Sequence, residues 1–166
     1  AAEFVVGSLA DAVRPGSRPV KFVLAGIGTE SLPVGAATNV VGLGPVDDLA
    51  NLLFACHIGI APLRSGSGIS GKVADYLLHG LVTVATSIAA VGLPPCPTLV
   101  VTEPEGFAGV ISDLISRTPD LRPGRENPID PAVQEGLCGR GPVDAFARDI
   151  ESLARTRVGS ASASPP

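Results

Sequence analysis

Between Arg64 and Asp75 the chain reads R-S-G-S-G-I-S-G-K-V-A-D. Gly66, Gly68 and Gly71 alternate with small residues and are flanked by two cations, Arg64 and Lys72. Glycines at a strand-to-helix turn let backbone N–H groups approach a ligand closely, and the helix that follows adds its positive end. A phosphate or diphosphate is the natural guest of such a loop. Asp75 follows Lys72 by one helical turn and lies on the same face. A carboxylate there repels phosphate, but an ionised Asp accepts two hydrogen bonds from the vicinal hydroxyls of a sugar. The plainer readings are a glycine-rich bend and an acidic residue favoured near a helix start.

Residues 66–72 spell G-x-x-x-x-G-K, one residue short of the phosphate loop of ATP- and GTP-hydrolysing enzymes. That reading fails on its neighbours. Val73 supplies no hydroxyl for Mg²⁺, "LVTVAT" carries no carboxylate, and "TLVVTE" offers only Glu103. "AGIGTE" (25–30) begins a dinucleotide fingerprint, but Ser31 replaces its third glycine and Pro33 follows where a helix should start, so a strand-end turn is expected. His57 and His79 are the only histidines, and neither has a partner that would complete a triad or a metal cluster. Both read as capping or packing residues.

The elements that position this loop alternate. Phe4, Val5, Leu9 and Val13 recur at helical spacing before Pro15-Gly16. "VKFVLAG" (20–26), "TNVVGLG" (38–44), "IGIAPL" (58–63), "LVTVAT" (81–86) and "TLVV" (98–101) read as short strands. Helices are expected in "PVDDLANLLFACH", in "GKVADYLLHG" with Val73, Tyr76 and Leu77 inward and Gly80 as its stop, and in "PEGFAGVISDLIS" with Phe107, Val110, Ile111 and Leu114 as its stripe. This alternation predicts an α/β fold, a Rossmann-like parallel sheet with helices on both faces. Residues 117–131, rich in Pro and charge, are expected to be a surface excursion. "VDAFARDIESLAR" should be a terminal docking helix, giving one domain over 1–155 and a disordered tail over 156–166.

With 166 residues and 45% apolar composition the chain suffices for one α/β domain with a sizeable core. A net charge of -4 without clustered Lys or Arg argues against nucleic-acid binding. Cys56, Cys96 and Cys138 are widely spaced and form no C-x-x-C pair, which fits a reducing compartment, with Cys56 a small core residue. No apolar run is long enough to span a membrane, and no secretory signal opens the chain. The absence of Met suggests a fragment, an excised domain or a processed product.

The run "VVGLGPVDDLANLLFACHIGIAPLRSGSGISGKVADYLLHGLVTVATSIAAVGL" is the dense centre of a similarity over about 20–110. It resembles the C-terminal half of a GT-B glycosyltransferase, most closely the retaining group 1 type, whose loops read P-L-R-x-G-S-G-I-x-x-K. The resemblance implies a nucleoside diphosphate sugar (UDP-, GDP- or ADP-linked) with its diphosphate at the glycine loop. Gly68, Ile69, Ser70 and Gly71 would then offer backbone contacts, Lys72 and Arg64 nearby positive charge, and Asp75 a grip on the ribose hydroxyls. Ser67 stands where many relatives carry a sugar-facing Glu, and Gly44, Pro45 and Val46 where relatives seat the base. The first strand of this domain and the acceptor-binding N-terminal half are implied to be missing from this sequence, so the fragment alone should turn over poorly. No essential metal is implied. A cytoplasmic location is expected, and peripheral contact with the inner membrane face would come through the missing half.

Two further readings keep the fold and change the class. A degenerate, non-catalytic nucleotide-sugar module would bind donor without transfer. A nucleotide-sugar epimerase would use a different loop and fits less well.

Overall fold

The computed structural model describes residues 1–13, 19–32, 39–66, 68–117 and 123–138. The expected helix over 143–155 and the tail lie outside them, as does Ser67. The chain opens with a helix, α1 (2–12), whose middle, Val5–Leu9, is wound as a π-helix. There follow β1 (Phe22–Ala25), β2 (Val40–Gly44), α2 (Leu49–Ala55), β3 (Ile58–Ala61), α3 (Gly71–Leu78), β4 (Val82–Ala85), β5 (Leu99–Val101), α4 (Phe107–Arg117) and α5 (Pro131–Cys138). All paired strands are parallel, as expected for strands separated by helical crossovers. They form a two-stranded sheet, β1–β2, and a three-stranded sheet, β3–β4–β5. The single sheet read from the alternation is therefore divided between β1 and β3.

Helices cover both faces. On one, Val5, Leu9 and Val13 of the α1 segment and Phe107, Ile111 and Ile115 of α4 bury against Phe22, Val40 and Val84, which come from both sheets. The buried stripe of α4 is thus Phe107, Ile111 and Ile115, whereas Val110 and Leu114 flank it half-buried. On the other face, Val73 and Leu77 of α3 and Val133 of α5 enclose Ala61, Ala85 and Ala89. Gly80 ends α3 with φ +73°, as its position predicts, and a Cβ there would meet the Gly124 carbonyl oxygen at 2.7 Å.

Residues 123–131 of the expected surface excursion do lie at the surface, with Glu126, Pro128, Ile129 and Pro131 exposed, but they are anchored at two points. Gly124 is buried and donates its N–H to the Cys56 carbonyl at 2.8 Å, while Asn127 Nδ2 donates to the Gly80 carbonyl at 2.9 Å. The segment binds the ends of α2 and α3 together by satisfying their backbone carbonyls. α5 then starts on Asp130, whose Oδ1 accepts the Ala132 N–H at 2.8 Å, with Pro131 in the first turn. Among the described residues no helix is long and apolar enough to cross a membrane.

Candidate functional site: the glycine loop and the start of α3

β3 ends at Ala61, and the chain turns at once, the Leu63 N–H donating to the Ala61 carbonyl at 2.9 Å. The turn is anchored by Thr86, fully buried just past β4. Its hydroxyl donates to the Leu63 carbonyl at 2.7 Å and accepts the Ala89 N–H at 3.3 Å, and its own N–H reaches the Ala61 carbonyl at 3.3 Å. These bonds tie the root of the glycine loop to the turn after β4. Further out, Ile69 lies over Gly92: a Cβ built there would meet Ile69 Cγ1 at 2.8 Å. Ile69 is 56% exposed and has the Gly92 turn beneath it.

Gly68 has φ +76°, in the left-handed region where side chains are strained, and it is exposed with nothing near its Cβ position. The chain there bends so that Ser70 can cap α3. Ser70 makes no side-chain capping bond, and the first N–H taken up is that of Ala74, which reaches the Ser70 carbonyl at 3.1 Å. The N–H groups of Gly71, Lys72 and Val73 therefore have no partner within the helix and stand at its positive end. Val73 itself is fully buried, so this position serves the core, which accounts for an apolar residue where a metal-binding hydroxyl would otherwise stand.

Lys72 and Asp75 are both exposed and both line one cavity of about 190 Å³, shared with Leu49 and Leu52 of α2 and with Val23 and Ala25 of β1. The structure thus gathers Gly68, Ile69, Ser70, Gly71, Lys72 and Asp75 on one loop and helix. Arg64 behaves differently. It is exposed at the root of the loop, and its guanidinium carbon sits 5.9 Å from the centre of the Phe4 ring, turned toward α1. Gly44, Pro45 and Val46 lie at the end of β2 in the other sheet. There the Gly44 N–H donates to Thr29 Oγ1 at 2.9 Å, and the Gly26 N–H donates to the Gly44 carbonyl at 2.7 Å. The turn 26–31, expected at the end of β1, thus holds the β2 loop in place.

Of the two histidines, only His79 falls as a packing and capping residue should. His79 Nδ1 bonds the Asp75 carbonyl at 2.7 Å, and its ring lies 4.9 Å from that of Phe54. His57 is exposed beside β3. Cys56 is half-buried at the end of α2, and burial pushes its thiol pKa up. Burial also raises the Tyr76 phenol, with the charges of Cys56 and Asp75 adding to it. Among the described residues no three His, Cys, Asp or Glu side chains gather as a metal site. Glu103 instead accepts the Ser87 hydroxyl at 2.7 Å.

Thr86 is the site residue that sequence reasoning passed over. The signal was a threonine just after an apolar strand and before a turn, where its hydroxyl can bond backbone groups. Open loops of this kind, at the carboxyl ends of parallel strands, are where ligands bind in doubly wound α/β folds. No curated protein matches the chain. The family model described as "Glycosyl transferases group 1" matches residues 1–117, spanning every strand, the glycine loop and α1 to α4. That match covers more than half of the chain, and the protein belongs to the group 1 glycosyltransferase family.

Proposed function

We propose that this chain forms the donor half of a glycosyltransferase site and binds a nucleoside diphosphate sugar, whose sugar passes to an acceptor hydroxyl with retained configuration. The diphosphate lies at the start of α3. There the N–H groups of Gly71, Lys72 and Val73 and the backbone at Gly68, Ile69 and Ser70 meet its oxygens, and the Lys72 ammonium balances its charge. Asp75 takes the ribose hydroxyls. Gly44, Pro45 and Val46 flank the base, and Arg64 joins the diphosphate by swinging away from Phe4; Ser67, outside the described residues, takes the sequence position of the sugar-facing Glu of many relatives. As the glycosidic bond breaks, negative charge grows on the leaving diphosphate, and fixed dipoles with a nearby cation stabilise it without having to reorganise. The acceptor is held by a second domain, which closes over the donor and excludes water.

The observation that supports this most is the helix start. Its uncapped N–H groups are presented by a left-handed glycine beside Lys72, at a strand end of a group 1 glycosyltransferase domain. Thermal unfolding with UDP, GDP and ADP tests the reading, with the corresponding nucleosides as controls. One diphosphate at a hundred times its dissociation constant is expected to stabilise the chain by about 2.7 kcal/mol, and its nucleoside by far less. Equal midpoints with all three diphosphates and without ligand would remove the donor assignment.

A further inference from the structure

The turn 26–31 is seated on β2 backbone against backbone: a Cβ at Gly42 would overlap the Thr29 carbonyl oxygen. Thr29 Oγ1 donates to the Gly26 carbonyl at 2.8 Å and accepts the Gly44 N–H at 2.9 Å, so this turn and the loop after β2 are one hydrogen-bonded unit. Glu30 is the middle residue of the tight turn Thr29–Ser31. Gly44 is buried with φ +70°, and a Cβ there would meet Glu30 Oε2 at 2.9 Å and Cδ at 3.2 Å. The glycine thus leaves room for the carboxyl group, and the backbone under Glu30 fixes where that group stands. The side chain is exposed, and its carboxylate has no hydrogen-bond or ion-pair partner among the described residues. Asp48, in the neighbouring loop, is already engaged, its Oδ1 accepting the Asn51 N–H at 2.9 Å as the cap of α2.

This unit stands at one end of the donor site. Ala25, the last residue of β1, and Leu49, the first of α2, line the same cavity of about 190 Å³ as Lys72 and Asp75. The turn 26–31 leaves from Ala25, and the loop after β2 leads into Leu49. A ligand with its diphosphate at the start of α3 and its ribose at Asp75 therefore directs its base at these two segments. The bases differ in what they offer a carboxylate there. Guanine presents two adjacent donors, N1–H and the N2 amine, which one carboxylate accepts side by side. Uracil presents a single N3–H between two carbonyl oxygens, which repel the second carboxylate oxygen. Adenine sets its N6 amine beside N1, an acceptor with the same effect. A site built to accept two hydrogen bonds discriminates strongly against a ligand that cannot donate both.

We propose that Glu30 selects the base, and that the donor is a guanosine diphosphate sugar whose guanine N1–H and N2 amine both donate to the Glu30 carboxylate. This rests on the donor reading above and adds to it the identity of the base. Gly44 takes part in the selection, because a side chain at that position would displace the carboxyl group.

Isothermal titration with GDP, inosine diphosphate, UDP, ADP and inorganic pyrophosphate tests this. Inosine diphosphate keeps N1–H and lacks the N2 amine, so it removes one of the two hydrogen bonds and nothing else. The parent chain is expected to bind GDP about tenfold or more tighter than each other nucleotide, the effect of losing a hydrogen bond to a charged acceptor. Glu30→Gln keeps the length of the side chain and replaces one acceptor oxygen with an amide donor. It should weaken GDP by at least about tenfold, while pyrophosphate, which has no base, binds parent and variant alike. Asp47→Asn, at the exposed carboxylate after Val46, should keep the preference for GDP. The ranking in the parent is read without any variant. A parent that prefers UDP or ADP, or binds GDP and inosine diphosphate equally, overturns the proposal and leaves the donor reading standing. So does a preference for GDP that survives Glu30→Gln or disappears with Asp47→Asn. If neither pyrophosphate nor any nucleotide binds, the donor reading and the proposal fall together.

Discussion

Lys72→Ala is expected to weaken binding of the preferred nucleoside diphosphate by about tenfold or more, with the unliganded thermal midpoint unchanged. The ammonium is exposed at the first turn of α3, so its removal leaves no cavity and frees no buried group. A hydrogen bond to a charged partner contributes about 1.5–3 kcal/mol, and 1.4 kcal/mol is about a factor of ten. Asp75→Ala separates the two ends of the ligand. Loss of its carboxylate should weaken nucleoside diphosphate binding by a similar factor, because the ribose hydroxyls lose their acceptor. Inorganic pyrophosphate should bind the Asp75 variant at least as well as the parent, since a negative charge near the anion has gone. Isothermal titration with both ligands reads all of these. If Asp75→Ala weakens pyrophosphate and UDP alike, or if neither variant differs from the parent, the division of labour assigned to these two side chains is wrong.

Phe107→Ala is expected to cost about 3–5 kcal/mol of stability, the range for deleting a large buried aromatic side chain. Its ring is fully buried, meets Phe4 edge-to-face at 88°, and shares a cluster with Val5 and Leu9 of α1, Phe22 of β1, Val40 of β2 and Val84 of β4. Phe107 therefore helps to hold together two sheets that share no strand pairing. Against a total of about 5–15 kcal/mol, the loss is a large fraction of what keeps the domain folded. Urea unfolding should show the midpoint fall sharply for Phe107→Ala. For Val101→Ala, at a side chain 50% exposed, the shift should stay within about 0.5 kcal/mol. Comparable midpoints for the two would mean that this cluster is not what joins the sheets.

The local features of this domain were legible because local physics sets them. Short apolar runs became the five described strands, two of them closed by Gly26 and Gly44, and Gly80 stopped α3 where its left-handed preference predicted. The strand–glycine–helix order by itself places the loop at the start of α3. The misses are long-range. Nothing in the spacing of Arg64 says that its guanidinium will turn to Phe4, which lies far away in the chain. Strand alternation predicts parallel pairing but not which strands become neighbours, so the division between β1 and β3 could not be read from it. α5 was missed for a different reason. Pro and charge dominate 117–131, and they hid an Asp130-Pro131 pair that is itself a helix-start signal. Thr86 was read only as the end of an apolar strand, because its hydrogen bonds join residues that meet through the fold.

The account rests on the backbone at the start of α3 receiving a diphosphate. Its most direct test is the amide spectrum of the chain during titration with UDP, GDP and ADP. Binding of one of them should move the resonances of Gly68, Ile69, Gly71, Lys72 and Val73 most, with those of α5, such as Val133, unmoved. Saturable shifts elsewhere with the amides of 68–73 unchanged, or no saturable shift with any of the three, would contradict it.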